Sequence, residues 1–358
     1  MIEVVTMRFR LVAVVALGTV LTVGGCGTSD ESRVGPATSS VFPPTESEAS
    51  DSAPDPFAPG LTDHSISIND VEREYRVYVP ESLSSPRALI VVLHGGGGDG
   101  ATVADSPSEP LAVFRTIADR EGAVVVYPQG LPARDRAGDR AGWDDCRNDN
   151  TVASGADDVD FLSTLITEIT GAYALSKDAT FVAGTSNGAQ MAQSLAFSRP
   201  DLLGAIATFA GNSPAEPKPG PCTDGPSQPV AVLLAHGTAD TVMPYDGGCV
   251  ADFSGACSRG AVISAEATLN QWLEINGLTD VLPSTALVDL NPDDSGPAYR
   301  IDYPGPVPVQ WWRFEGSGHP TASRLDGVTA PRTAGLRNSD VEFADIAWAF
   351  FATQLPTN

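Results

Sequence analysis

"FVAGTSNGAQMAQSLA" (181–196) leaves an apolar run, passes a serine bracketed by glycines, and enters a stretch with helical spacing. Gly184-Thr185-Ser186-Asn187-Gly188 satisfies G-x-S-x-G. With a strand before it and a helix after it, such a turn lifts the serine hydroxyl above the end of a sheet. The glycines suit the turn because backbones come close there and a Cβ would clash. The plainer alternative is a strand-to-helix turn in which Ser186 only caps the helix. The surrounding chain decides between them.

Outward from this turn, "ALIVVLHG" (88–95), "GAVVVYPQG" (122–130), "GAIATFAG" (204–211), "PVAVLLAHG" (229–237) and "VPVQWWRFEG" (307–316) read as buried strands. "EYRVYVP" (74–80) alternates and ends at proline, the mark of an edge strand. Helical patterns fall at 157–175, 264–278 and 339–355. The first sets Val159, Leu162, Ile166 and Ile169 on one face behind an N-cap at Asp157 or Asp158. Buried strands alternating with helices predict an α/β fold, a mostly parallel central sheet with helices on both faces. In such a sheet ligands bind at the carboxyl ends of the strands.

A nucleophilic serine needs a base within hydrogen-bond reach and a carboxylate to orient that base. The chain has four histidines: His64, His94, His236 and His319. In this fold class the order is Ser, acid, His, which leaves His236 and His319. "LLAHGTADTVMPYDGG" supplies Asp240 just past a strand, and "FEGSGHP" supplies His319 just past another. Asp240 precedes His319 but follows His236. The expected triad is therefore Ser186, Asp240 and His319, with His236 packing or hydrogen-bonding in its own turn. Asp246 and Asp252 are fallback carboxylates further from the strand end.

Stabilising the developing oxyanion is commonly the largest catalytic contribution. "LHGGGGDG" (93–100) places consecutive amides after a buried strand, where HGGG-type turns supply one donor. Gly96 is the expected first donor, with Gly95 as the alternative, and the amide of Asn187 is the second. No Lys-Ser or Lys-Thr follows, so this is not a phosphate-binding P-loop.

The ends and composition bound the setting. Residues 1–25 read as a secretory signal: Arg8 and Arg10 precede an apolar stretch at 11–23, and small residues follow. Val23-Gly24-Gly25-Cys26 resembles the bacterial lipobox, which makes Cys26 the lipidation site. Residues 26–60 are Ser, Thr, Pro and acidic, a disordered tether, leaving 61–358 as the catalytic domain. A net charge of −24 argues against nucleic acid. Four further cysteines in an exported chain suggest disulfides. Three pairings are possible; the short loop favours Cys249–Cys257, leaving Cys146–Cys222. Zinc is the weaker reading, as no CxxC pair or nearby histidine cluster exists.

"VVLHGGGGDG", "VVVYPQGL", "GWDDC", "DDVDFL", "AGTSNGAQMA", "HGTADTVMPYDGG" and "GSGH" together resemble the polyhydroxybutyrate depolymerase and feruloyl esterase family, carbohydrate esterase family one of the α/β hydrolases. The resemblance spans nearly all of 64–350. It implies the same roles for Ser186, Asp240 and His319, and cleavage of aryl, acetyl or hydroxyalkanoate esters without cofactor or metal. Relatives usually carry a Trp-Pro pair after the histidine, whereas here "HPTASR" follows. Trp143 in "GWDDC" is the expected substrate-lining residue; Trp311 and Trp312 alternate along a strand and fit core packing. "ARDRAGDRAG" (133–142) reads as a solvated loop.

The expectation is thus a monomeric, lipid-anchored extracytoplasmic serine esterase acting on a small or polymeric ester. A surface acyltransferase on the same scaffold and a non-catalytic surface binding protein are the competing readings.

Overall fold

The computed structural model describes residues 57–83, 85–133, 141–150, 153–251, 257–326 and 334–356. The signal segment, Cys26, most of the tether, most of the charged loop 133–142, and Asp252 lie outside the described residues.

The strands are β1 (Gly60–Ile68), β2 (Val71–Val79), β3 (Ala88–Leu93), β4 (Ala123–Pro128), the short pair β5 (Leu131–Pro132) and β6 (Ala141–Gly142), β7 (Thr180–Thr185), β8 (Ala205–Phe209), β9 (Ala231–Gly237), the hairpin β10 (Gly248–Ala251) and β11 (Cys257–Val262), β12 (Ser284–Val288), β13 (Ala298–Tyr303) and β14 (Val309–Phe314). The helices are α1 (Gly100–Asp105), α2 (Val113–Glu121), α3 (Asp158–Tyr173), α4 (Asn187–Ser198), α5 (Pro221–Asp224), α6 (Ala265–Ile275) and α7 (Phe343–Ala352).

Ten strands form one sheet in the order β1-β2-β4-β3-β7-β8-β9-β14-β13-β12. The six from β4 to β14 run parallel, and an antiparallel pair extends each side. The parallel strands are buried along their length, which requires apolar cover on both faces. Alternation divides them: Leu89, Val91 and Leu93 pack with Phe161, Leu195 and Trp272 of α3, α4 and α6. Ala88, Ile90 and Val92 pack with Phe114, Ile117 and Phe351 of α2 and α7. This is the α/β-hydrolase arrangement.

Two sequence expectations need correction. The strand within 74–80 is not an edge, because β1 pairs along its whole length. That outer strand is "GLTDHSISI", half-exposed and polar enough to hide its alternation. Phe57, expected in the tether, is also packed: it stacks on Tyr173 at 6.1 Å between ring centroids and meets His64 edge-on at 5.1 Å. Both disulfides join the cysteines that the short loop favoured, Cys146–Cys222 and Cys249–Cys257. Trp311 and Trp312 are buried, one on each face of the sheet.

Candidate active site

Strand β7 ends at Thr185 and α4 begins at Asn187, so Ser186 alone makes the turn, with φ 54° and ψ −122°. A residue bearing a Cβ adopts such a conformation only where its surroundings force it. Here the Ser186 N–H donates to the Phe209 carbonyl at 2.8 Å, and the Ser186 carbonyl accepts from Gln190 N–H at 3.0 Å. The flanking glycines allow the close approach. A Cβ on Gly184 would lie 2.5 Å from the Gly188 carbonyl, and one on Gly188 would lie 2.5 Å from the His94 carbonyl and closer still to that of Leu93.

Three parallel strands, β7, β9 and β14, then deliver the polar groups from the same end of the sheet. Asp240 follows β9 and His319 follows β14. His319 Nε2 lies 2.9 Å from Ser186 Oγ, and Nδ1 lies 2.8 Å from Asp240 Oδ2. A carboxylate only accepts, so Nδ1 carries the proton and Nε2 is left to accept the serine hydroxyl. Asp240 Oδ1 accepts from the Val242 and Met243 amides at 2.8 and 2.9 Å. Burial pushes the Asp240 carboxyl up, but the charge of His319 and hydrogen bonds from His236 and His319 outweigh it and hold the group well below the usual carboxylate range. His319 is itself fixed through its backbone N–H, which donates to the Ala334 carbonyl at 2.7 Å.

The glycine turn after β3 stands beside the serine. A Cβ on Gly95 would sit 3.5 Å from that of Ser186, and one on Gly96 would sit 3.4 Å from that of Asn187. Gly97 N–H donates to Ala141 and Gly98 N–H to Gly95. The Gly95 and Gly96 amides find no such acceptor among the described residues. Asn187 is the first residue of α4, where the N–H has no acceptor one turn back. His94 braces the turn: its Nε2 accepts from Gly130 N–H at 3.0 Å, so Nδ1 donates to the Gly95 carbonyl at 2.9 Å.

Trp143 is corrected. It is 0 % exposed, its indole N–H donates to the His94 carbonyl at 2.9 Å, and its ring packs on that of His94. It therefore supports the glycine turn from beneath and lines no substrate pocket. Its backbone also pairs with the Asn187 side chain: Trp143 N–H donates to Oδ1 at 2.7 Å, and Nδ2 donates to the Trp143 carbonyl at 3.2 Å. Nδ2 further donates to Asp145 Oδ2 at 2.6 Å. Asp145 is buried in a two-pronged pair with Arg147, and the adjacent Cys146 is tied to Cys222. The "GWDDC" stretch thus anchors the start of α4. The remaining carboxylate alternative, Asp246, is exposed.

Arg259 was not singled out by sequence. Its Nη1 lies 3.9 Å from where a Cβ on Gly96 would be, and Arg147 donates to its carbonyl. Only the fold of the Cys249–Cys257 hairpin brings it there.

Beside the strand-turn-helix around Ser186, the strand-end residues Asp240 and His319 and the glycine turn stands a sequence match of residues 73–285 to the family described as esterase PHB depolymerase. The chain belongs to the esterase PHB depolymerase family. Among relatives of this family member, feruloyl esterase C of Emericella nidulans is 28% identical over 193 residues, 53% of this chain and 62% of that protein. An acetylxylan esterase of Coprinopsis cinerea is 30% identical over 157 residues, 42% of this chain and 39% of the relative. The chain therefore spans less than two thirds of the length of either. An acetyl xylan esterase structure from Aspergillus awamori superposes with a TM-score of 0.49 at 19% identity, over 72% of this chain and 94% of that one.

Proposed function

We propose that the chain is an extracytoplasmic serine esterase, anchored by a lipid on Cys26, that hydrolyses carboxylic esters through an acyl-enzyme. The observation that carries this reading is the hydrogen-bonded row Ser186–His319–Asp240 at the carboxyl ends of the parallel strands β7, β14 and β9. Ser186 Oγ attacks the ester carbonyl carbon as its proton passes to His319 Nε2. The negative charge that develops on the carbonyl oxygen is met by the Asn187 amide and that of Gly96. Asp240 stabilises the imidazolium, which then protonates the departing alcohol. Water, deprotonated by the same nitrogen, attacks the acyl-enzyme, and the carboxylic acid leaves with Ser186 restored.

Relatives named feruloyl esterase and acetylxylan esterase favour aryl and acetyl esters as substrates. The two disulfides suit an oxidising compartment, in keeping with the signal-like amino terminus. The detergent-solubilised chain should hydrolyse short-chain p-nitrophenyl esters, feruloyl esters or acetylated xylan, and Ser186→Ala should reduce turnover by about 10⁴-fold or more. Turnover retained in that variant refutes the assignment. Mass spectrometry of the membrane fraction, seeking a diacylglyceryl group on Cys26, tests the anchor separately.

A further inference from the structure

His236 is the penultimate residue of β9 and is 1 % exposed. Its Nε2 lies 2.9 Å from the Met243 carbonyl oxygen. A carbonyl oxygen only accepts, so Nε2 carries a hydrogen. The same nitrogen is 3.2 Å from Asp240 Oδ2, the oxygen that binds His319. The carboxylate thus sits among four donors. Backbone amides of Val242 and Met243 hold Oδ1, while the two imidazoles converge on Oδ2.

That arrangement divides the work unequally. Two amides on one oxygen fix the position of the carboxyl group but leave it a residual twist about Cβ–Cγ. Within the cycle His319 changes charge and shifts its proton between serine and leaving group, so it is a poor anchor for the group that must orient it. The remaining donor on Oδ2 belongs to a side chain that takes no part in proton transfer and is locked by the Met243 carbonyl. The other polar neighbours of His236 are engaged elsewhere or lie beyond the carboxylate. Tyr245 packs edge-on at 5.8 Å with its hydroxyl on Glu266, Arg313 is in register on β14 with Glu315 as its ion-pair partner, and His319 lies across Oδ2.

We propose that His236 is a positioning residue for ester hydrolysis: its Nε2–H, shared between the Met243 carbonyl and Asp240 Oδ2, holds the carboxylate in the orientation that His319 requires. The proposal rests on the triad assignment given under Proposed function.

The test compares His236→Gln with His236→Asn in the full-length chain. Glutamine can set an amide N–H near the place of Nε2, whereas the shorter asparagine reaches only to the level of Nδ1. Rates on p-nitrophenyl butyrate are taken between about pH 5 and 9 and normalised to sites titrated with a fluorophosphonate, so misfolded protein does not count. For His236→Asn, kcat should fall about ten- to a hundredfold, with KM changed less than about twofold. Its acid limb of kcat/KM should also move to higher pH, because Oδ2, relieved of one donor, holds the His319 imidazolium more tightly. His236→Gln should restore most of the rate and return the limb towards the wild-type position. Equal kcat in the two variants, or a slower Asn variant with an unmoved acid limb, would overturn the positioning role. A wild-type chain without Ser186-dependent turnover would overturn the esterase reading and this one with it; an active wild type with indistinguishable variants overturns this one alone.

Discussion

Gly188→Ala isolates the geometry on which the site depends, because it adds one methyl group between the start of α4 and the end of β3. A Cβ at 188 would lie 2.5 Å from the His94 carbonyl oxygen and closer to that of Leu93. Both are backbone atoms, at the end of β3 and one residue past it, so no side chain can swing aside. An ordinary carbon–oxygen contact is about 3.3 Å, and the helix start must therefore retreat by about 1 Å. Asn187 rides on that first turn, while Gly95 and Gly96 stay with β3, so the retreat opens the gap between the two candidate amide donors. A misplacement of that size costs about 10²-fold in rate, or about 2.7 kcal/mol of barrier. Overpacking should lower stability by about 1–3 kcal/mol. Gly171→Ala on α3 is the control, since a Cβ there meets nothing within 4 Å; helix propensity should leave it neutral or up to about 1 kcal/mol more stable. The assay is kcat/KM on p-nitrophenyl butyrate with urea unfolding of all three proteins. Wild-type activity within about threefold in Gly188→Ala would refute the argument that this contact sets the donor spacing.

Two further outcomes follow from the same site. Ser186→Gly should be inactive yet more stable than Ser186→Ala by about 1 kcal/mol, because glycine relieves the φ 54° conformation that alanine retains; a higher urea midpoint for the alanine variant would contradict this. Asp240, whose carboxyl is held below its ordinary value, contributes stability above the unfolded carboxylate value of about 4, and that contribution fades as pH falls further. The gap in unfolding free energy between wild type and Asp240→Asn should therefore narrow below about pH 4, and a gap constant from neutral pH into that range would count against it.

The features that could be read from sequence share one property: each is written locally. Six parallel strands announced themselves as short apolar runs ended by glycine or proline, and the elbow needed only a pentapeptide between a strand and a helix. The outer strands were harder. β1 and β12 carry exposed faces, with "STALV" almost wholly exposed, so neither presents a buried run, and α2 went unread beside the stronger strand after it. Helix α7 was expected over 339–355 but spans Phe343–Ala352, because its apolar pattern runs on into flanking residues that do not continue the helix.

Trp143 and His236 show why roles inside a site resist the same reading. A tryptophan in a loop beside a cysteine can face a cleft or a core, and only the placement of His94 just past β3 decides that its indole N–H meets a buried carbonyl. Chain order sets His236 aside as the base, since Asp240 follows it. Order along the chain bears on proton transfer alone, not on a histidine that acts on the acid. The spacing of four residues between His236 and Asp240 places the two in contact only because β9 ends at Gly237 and the chain turns back, so that the Val242 and Met243 amides meet Oδ1 while Oδ2 faces both rings. Order along the chain can name the group that moves the proton; the groups that hold it still are set by the turn.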